Sequence, residues 1–185
     1  MALSQQKFRE IVFQLLYSQD IGRPDEALMT ELMMAELAVS KKNVRLAQER
    51  VHHIQERLSV IDPLISSVST SYDFDRIQSV AKNILRLGVF ELFFDDQIPP
   101  KVAIAEAIRL SRKFNTPESA SFVNALLDHL YQASLGSPVD PQQLAQRSQL
   151  LMQSEQMASD VAQEQSIENN QADENNEKAF PDDNA

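Results

Sequence analysis

Apolar residues recur at the spacing of an amphipathic helix from residue 4 to about residue 133 of this chain. The first segment shows the pattern most simply, because Phe8, Ile11, Val12, Leu15 and Leu16 share one face of a helix over residues 4–18. The chain has only three glycines, too few for the many tight turns of an all-β domain. The pattern therefore predicts an all-α fold.

Prolines and capping residues divide the remaining pattern into further helices. Pro63 predicts a kink or a break, since proline removes a backbone donor and disfavours helix at the preceding residue. Asp73 or Asp75 can cap a broadly apolar, central helix, and Thr116 with Pro117 forms a helix start. Six to seven helices follow, with predicted ranges 4–18, 25–39, 40–62 with a last turn to 68, 73–94, 101–113 and 117–133.

The acidic residues are concentrated at one end of the chain. The net charge is −10, but residues 1–136 hold 15 Lys and Arg against 17 Asp and Glu, which gives −2. Residues 137–185 hold 2 against 10, which gives −8. We therefore predict a helical domain over residues 1–136 and a polar acidic tail over 137–185. A marginal helix is expected at 142–162, and disorder at 166–185.

Sequence motifs for catalysis are missing. The chain has no cysteine, no Gly-x-Ser-x-Gly elbow and no phosphate loop, so neither an enzyme nor a cofactor is predicted. His52 and His53 are expected to form surface polar pairs with Glu56 and Glu49, and no metal site is predicted. The sequence shows no secretory signal and no apolar segment long enough to span a bilayer. We therefore expect a cytoplasmic protein that is not bound to a membrane.

Three phrases in the second half of the domain resemble the NusB family. They are ILRLGVFEL at residues 84–92, IPPKVAIAEAI at 98–108 and SFVNALLD at 121–128. The segment KFREIVFQLLYS at residues 7–18 is similar to the opening helix of that family. The resemblance covers about residues 3–133. It implies a NusB-like helical bundle in two packed halves, of which the first has three helices.

The resemblance also implies a function and partners. NusB proteins pair with NusE, a small-subunit ribosomal protein, and bind boxA-type single-stranded RNA. The assembly acts on elongating RNA polymerase and prevents early termination, chiefly on ribosomal RNA operons. Members are monomers or homodimers, and both states stay open for this chain.

Four residues are the RNA-binding candidates that the resemblance implies. Lys7 and Arg9 would contact phosphates, and Phe122 would be an exposed aromatic that stacks on a base, with Glu118 close by. Periodicity alone favours a core position for Phe122, because the neighbouring Val123 faces inward. On sequence alone, a solvated helix face is the favoured interpretation of Lys7 and Arg9.

Other cations and the tail also have structural alternatives. Arg109, Arg112 and Lys113 suit the C-terminal end of a helix electrostatically. The acidic tail is either an inert solubilising extension, the favoured interpretation, or a competitor of RNA for the basic face.

The partner-binding candidates are Tyr17, Arg76, Lys82 and Ala81, the last standing where many relatives carry a glutamate. Residues 4–6 are Ser-Gln-Gln where many relatives have an arginine cluster. Fewer cations release fewer counterions, so we expect RNA binding that depends on the partner. The alternative is a protein-interaction module with the NusB fold and little intrinsic RNA binding.

Overall fold

The computed structural model describes residues 3–22, 25–68, 73–136, 142, 145–146, 148–154 and 156–157. Seven α-helices and one 3₁₀ turn lie within residues 3–136 of this part, and it contains no strand. The all-α prediction with six to seven helices is confirmed. The helices are α1 (Gln5–Gly22), α2 (Glu26–Leu37), α3 (Lys41–Gln55), α4 (Leu58–Val68), α5 (Ser79–Phe93), α6 (Pro100–Phe114) and α7 (Pro117–Ser134), with the 3₁₀ turn (Phe74–Arg76) before α5.

The helices form two packed halves, as predicted. In the first half α3 packs against both α1 and α2. In the second half α5, α6 and α7 pack against one another, and α4 lies against α5 and α7. Helix α1 also packs along α5 and so joins the halves. Helix α5 is central, because buried residues, most of them apolar, lie on almost every side of it.

Gly88 allows the three helices of the second half to approach closely. A Cβ atom on Gly88 would lie 3.0 Å from Cδ1 of Leu127 in α7 and 3.3 Å from Cβ of Ala107 in α6. The small residue therefore sets the spacing at this three-helix crossing.

Capping residues fix two helix starts where the sequence predicts them. The Thr116 hydroxyl accepts a hydrogen bond from the Ser119 amide at 3.2 Å, and Pro117 occupies the first helical position. The Asp25 carboxylate accepts a hydrogen bond from the Ala27 amide at 2.7 Å at the start of α2.

Of the kink or break predicted at Pro63, the break is wrong, because α3 ends at Gln55 and Pro63 lies inside α4. The Arg57 amide donates to the Ile54 carbonyl at 3.0 Å, a three-residue spacing that tightens the end of α3. The Arg57 guanidinium donates to the carbonyl of His53 at 3.1 Å and satisfies it. Pro63 is exposed, and its missing N–H removes only one bond of α4.

The central helix starts later than predicted. Asp73 caps the 3₁₀ turn, accepting from the Asp75 amide at 3.2 Å, and α5 begins only at Ser79. Ile77 lies between them with an extended backbone, and its side chain is buried. Burial of Ile77 thus interrupts the helix.

The described residues between 142 and 157 are helical. Leu151 is only 2% exposed and belongs to the same hydrophobic core as α1–α7, a contact that the sequence analysis did not predict. Residues 158–162 of the predicted marginal helix and the predicted disorder at 166–185 lie outside the described residues. Across the described ranges no helix is both long and apolar enough to span a bilayer.

Candidate nucleic-acid interface

Helices α1 and α6 lie side by side along a polar seam. The Gln6 side-chain amide lies 3.5 Å from a Glu106 carboxylate oxygen, and the Arg109 guanidinium donates to the Gln6 carbonyl at 3.1 Å. Further along, the rings of Phe13 and Phe114 are 4.9 Å apart. The start of α1 therefore lies beside the middle of α6, and both helices run in the same direction.

Glu10 is the acceptor at the middle of this seam. Its carboxylate accepts from Arg109 Nη1 at 2.8 Å and from Lys113 Nζ at 2.8 Å. Burial opposes ionisation of Glu10, but the hydrogen bonds from Lys113 and Arg109 outweigh it and hold its pKa below the usual value. Arg109 also donates to Glu106 at 3.0 Å. The two cations are thus fixed by carboxylates from both helices.

Arg9 faces inward from this seam and lacks the exposure that its predicted phosphate contact requires. It is 5% exposed, and its Nε lies 2.9 Å from both carboxylate oxygens of Glu91 in α5. Its Nη1 lies 3.7 Å from Glu106. Burial raises the pKa of Glu91 although the Arg9 charge opposes this. Arg9 therefore forms a buried ion pair with Glu91.

Phe122 is fully buried, with 0% exposure, so the prediction of an exposed stacking aromatic is wrong. It lies in α7 beside Val123 and Leu126, which are also in the core. The alternative that periodicity favours is the one observed. Glu118 is partly buried in the first turn of α7, where its carboxylate accepts from the Ser154 hydroxyl at 3.4 Å.

Three cations lie at the surface of α1 and α6: the half-buried Lys7 and the exposed Arg112 and Lys113, which we call the cationic face. Lys7 precedes Glu10 by one helical turn, and Arg112 adjoins Lys113. Within the described ranges neither Lys7 nor Arg112 has an ion-pair partner. Arg9, Arg109 and Lys113 pair with the three carboxylates of the seam, those of Glu10, Glu91 and Glu106. Lys7 and Arg112 add two further positive charges.

The predicted partner-binding residues lie near the end of α1 and the start of α5. Ala81 is 1% exposed, so its side chain is buried and is not part of the surface that a partner would contact. Tyr17 is half-buried, with its ring 6.1 Å from that of Phe13. Lys82 Nζ lies 4.9 Å above the Phe74 ring, and Arg76 is exposed at the end of the 3₁₀ turn.

An ion-pair cluster at this end was not predicted from the sequence. Arg86 binds the Asp62 carboxylate through two bonds of 2.9 and 2.8 Å, and it lies 3.1 Å from Asp20. Burial opposes ionisation of Asp20, but hydrogen bonds from Ser79, Arg86 and Asn83 hold its pKa below the usual value. The cluster joins α1, α4 and α5. Its members are up to 66 residues apart, so no local spacing indicates it.

A search of the described residues finds no group of three His, Asp or Glu side chains that could hold a metal ion. His52 Nε2 lies 3.3 Å from the Glu56 carboxylate on the exposed side of α3, as the expected surface pair.

Comparison with known proteins identifies close relatives. Residues 6–132, from the first turn of α1 almost to the end of α7, match the NusB family. The transcription antitermination protein NusB of Chlamydia pneumoniae is 38% identical over 130 residues, covering 70% of this chain and 81% of that protein. That of Myxococcus xanthus is 36% identical over 126 residues, covering 66% and 90%.

Solved structures of NusB proteins are also similar to this chain. The NusB of T. maritima has a TM-score of 0.61 at 30% identity, covering 71% of this chain and 93% of that one. Antitermination factor NusB solved with NusE and double-stranded RNA has a TM-score of 0.60 at 25% identity, covering 70% and 96%. Because the match runs through both packed halves of the fold, the chain belongs to the NusB family.

Proposed function

We propose that this chain is a transcription antitermination factor that, with NusE, binds boxA-type single-stranded RNA. It then acts on elongating RNA polymerase, chiefly at ribosomal RNA operons in the cytoplasm. The observation that carries the proposal is the family match over residues 6–132, together with a relative solved with NusE and RNA. The function is binding without chemistry, so no catalytic residue or cofactor takes part.

Phosphate contact at the cationic face is the physical basis of RNA binding. Its surplus of positive charge attracts a polyanion, and each neutralised phosphate releases counterions. Since Phe122 is buried and Arg9 is paired, neither is assigned an RNA contact, and Lys7, Arg112 and Lys113 are assigned that role, with Glu118 at the edge. Few phosphate contacts give weak intrinsic affinity, which makes the partner necessary.

We assign NusE binding to the surface at the end of α1 and the start of α5. Tyr17, Arg76 and Lys82 are half-buried or exposed there, and the Asp20–Arg86 pair holds the two helices in a fixed arrangement. Ala81 is buried beneath this surface and contributes no side chain to it.

Titration of boxA-type RNA with and without NusE tests the proposal. Wild type is expected to bind RNA tightly only with NusE, and Lys7→Ala or Arg112→Ala to weaken binding. Each lost phosphate contact reduces the slope of log affinity against log salt by about 0.7 for a single strand. Lys41→Ala, an exposed cation at the start of α3, is the matched control and should be silent. Absence of RNA binding in both conditions would contradict the proposal.

A second candidate is the protein-interaction module without useful RNA affinity. The inward position of Arg9 and the burial of Phe122 favour it, because both remove contacts expected of an RNA surface. This candidate predicts that RNA leaves NusE affinity unchanged and that Lys7→Ala and Arg112→Ala have no effect. The same titration therefore separates the two candidates.

A further inference from the structure

The helical residues between 142 and 157, which we call the C-terminal segment, dock on the start of α7. Leu151 is inserted into the core and Ser148 is buried. The Ser154 hydroxyl donates to the Glu118 carboxylate at 3.4 Å. The segment thus ends beside the first turn of α7.

This docking position is close to the cationic face. Glu118 follows Lys113 by five residues, so their Cα atoms are at most about 18 Å apart even along an extended chain. The turn from α6 to α7, held by the 3.3 Å contact between the Ser111 and Ser119 hydroxyls, makes the real separation shorter. The first turn of α7, where the C-terminal segment docks, therefore lies within about 18 Å of Lys113.

The chain beyond residue 157 has the charge that such a surface attracts. Residues 158–185 carry eight acidic residues and one lysine, which gives −7. The first acid, Asp160, follows Ser154 by six residues, a span of up to about 21 Å that is comparable to the largest possible Glu118–Lys113 separation of about 18 Å. Glu164 and Glu168 follow at four-residue intervals.

We infer that the acidic residues 158–185 bind the chain's own cationic face and compete there with RNA phosphates. The competition rests on the proposed function, whereas the contact within the chain does not. Tethering by the docked C-terminal segment gives these carboxylates an effective concentration of about millimolar at the cationic face. Exposed ion pairs are individually weak, so several acids act together and salt screens them.

Two full-length variants with the same change in net charge test the competition. The tail variant is Asp160→Asn, Glu164→Gln, Glu168→Gln. The control is Glu31→Gln, Glu36→Gln, Glu49→Gln, exposed acids on α2 and α3 that are not part of the cationic face. The probe is a labelled boxA-type single-stranded RNA, titrated in the presence of NusE at low and high salt.

The tail variant is expected to bind RNA about two- to fivefold more tightly than wild type at about 50 mM KCl, and equally at about 300 mM. The control variant is expected to match wild type at both. A tail variant that matches wild type at low salt, or a control that gains as much affinity, would overturn the inference, since the tail would then be inert or act only through net charge.

A spin label placed among the acidic residues tests their contact with the cationic face in the absence of RNA. The chain has no cysteine, so Ala162→Cys introduces a single labelling site. We expect broadening of the Arg112 and Lys113 amide signals at low salt, and its loss at high salt and in the tail variant. Absence of broadening at low salt would overturn the inference. If the signals broaden but no variant binds RNA with NusE, the proposed function fails while the contact within the chain stands.

Discussion

Arg9 and Glu91 are two opposite charges that α1 and α5 bury against each other. Arg9→Met is expected to lower the free energy of unfolding by about 3–5 kcal/mol, because it leaves the Glu91 carboxylate buried without a cation. Urea denaturation measures this. Arg9→Met with Glu91→Leu should recover most of the loss, since apolar side chains replace both charges. A silent single variant would show that the pair is dispensable.

The same double variant separates packing from RNA contact. Because Arg9 faces inward, we expect the RNA affinity measured with NusE to stay close to that of wild type. A loss of RNA affinity in a well-folded double variant would show that Arg9 reaches the RNA.

Glu10 links stability to pH. Its folded pKa lies below the unfolded value of 4.5, although burial opposes this, because Lys113 and Arg109 stabilise the carboxylate. The stabilisation is therefore fully present above about pH 4.5 and is lost as pH falls through the lower folded pKa. Glu10→Gln should lower the Tm near neutral pH, with a difference from wild type that shrinks below pH 4.5. A constant difference at all pH values would contradict the assignment.

The crossing of α5, α6 and α7 depends on Gly88. Alanine favours a helix interior by about 1 kcal/mol over glycine, but overpacking costs about 1–3 kcal/mol. The Ala107 Cβ at 3.3 Å is fixed to its backbone and cannot rotate away. Gly88→Ala is therefore expected to lower the free energy of unfolding by about 1 kcal/mol in urea denaturation. Gly22→Ala is the control, because nothing lies within 4 Å of its added Cβ, and it should not destabilise the protein.

Helix boundaries were predictable where a side chain caps the backbone locally. Thr116 with Pro117 and Asp25 are such positions, since the donor and acceptor lie within three residues. The end of α3 and the start of α5 were not predictable in this way. The end of α3 depends on the tightened turn at Arg57. The start of α5 depends on Ile77, whose side chain is buried in a core made by other helices.

For the whole molecule, Leu151 connects a segment outside the family match to the core. Leu151→Ala is expected to speed amide hydrogen exchange at residues 148–154 and to leave α5 protected, because one lost anchor releases the segment by local unfolding. Leu150, which is 48% exposed, supplies the matched control Leu150→Ala, with no expected change. Equal loss of protection in α5 would show instead that the segment and the core unfold together.

The helical class and the family are evident from the sequence, because the apolar period and the three phrases are local properties of the chain, and the two packed halves follow from that resemblance. Which charges are available to a ligand depends on how the helices pack. Lys7 and Arg9 are two residues apart on one helix, yet α5 supplies Glu91 to Arg9 and leaves Lys7 on the solvent side. Phe122 is buried for the same reason, since exposure depends on which distant helices pack against a residue and not on its neighbours in sequence.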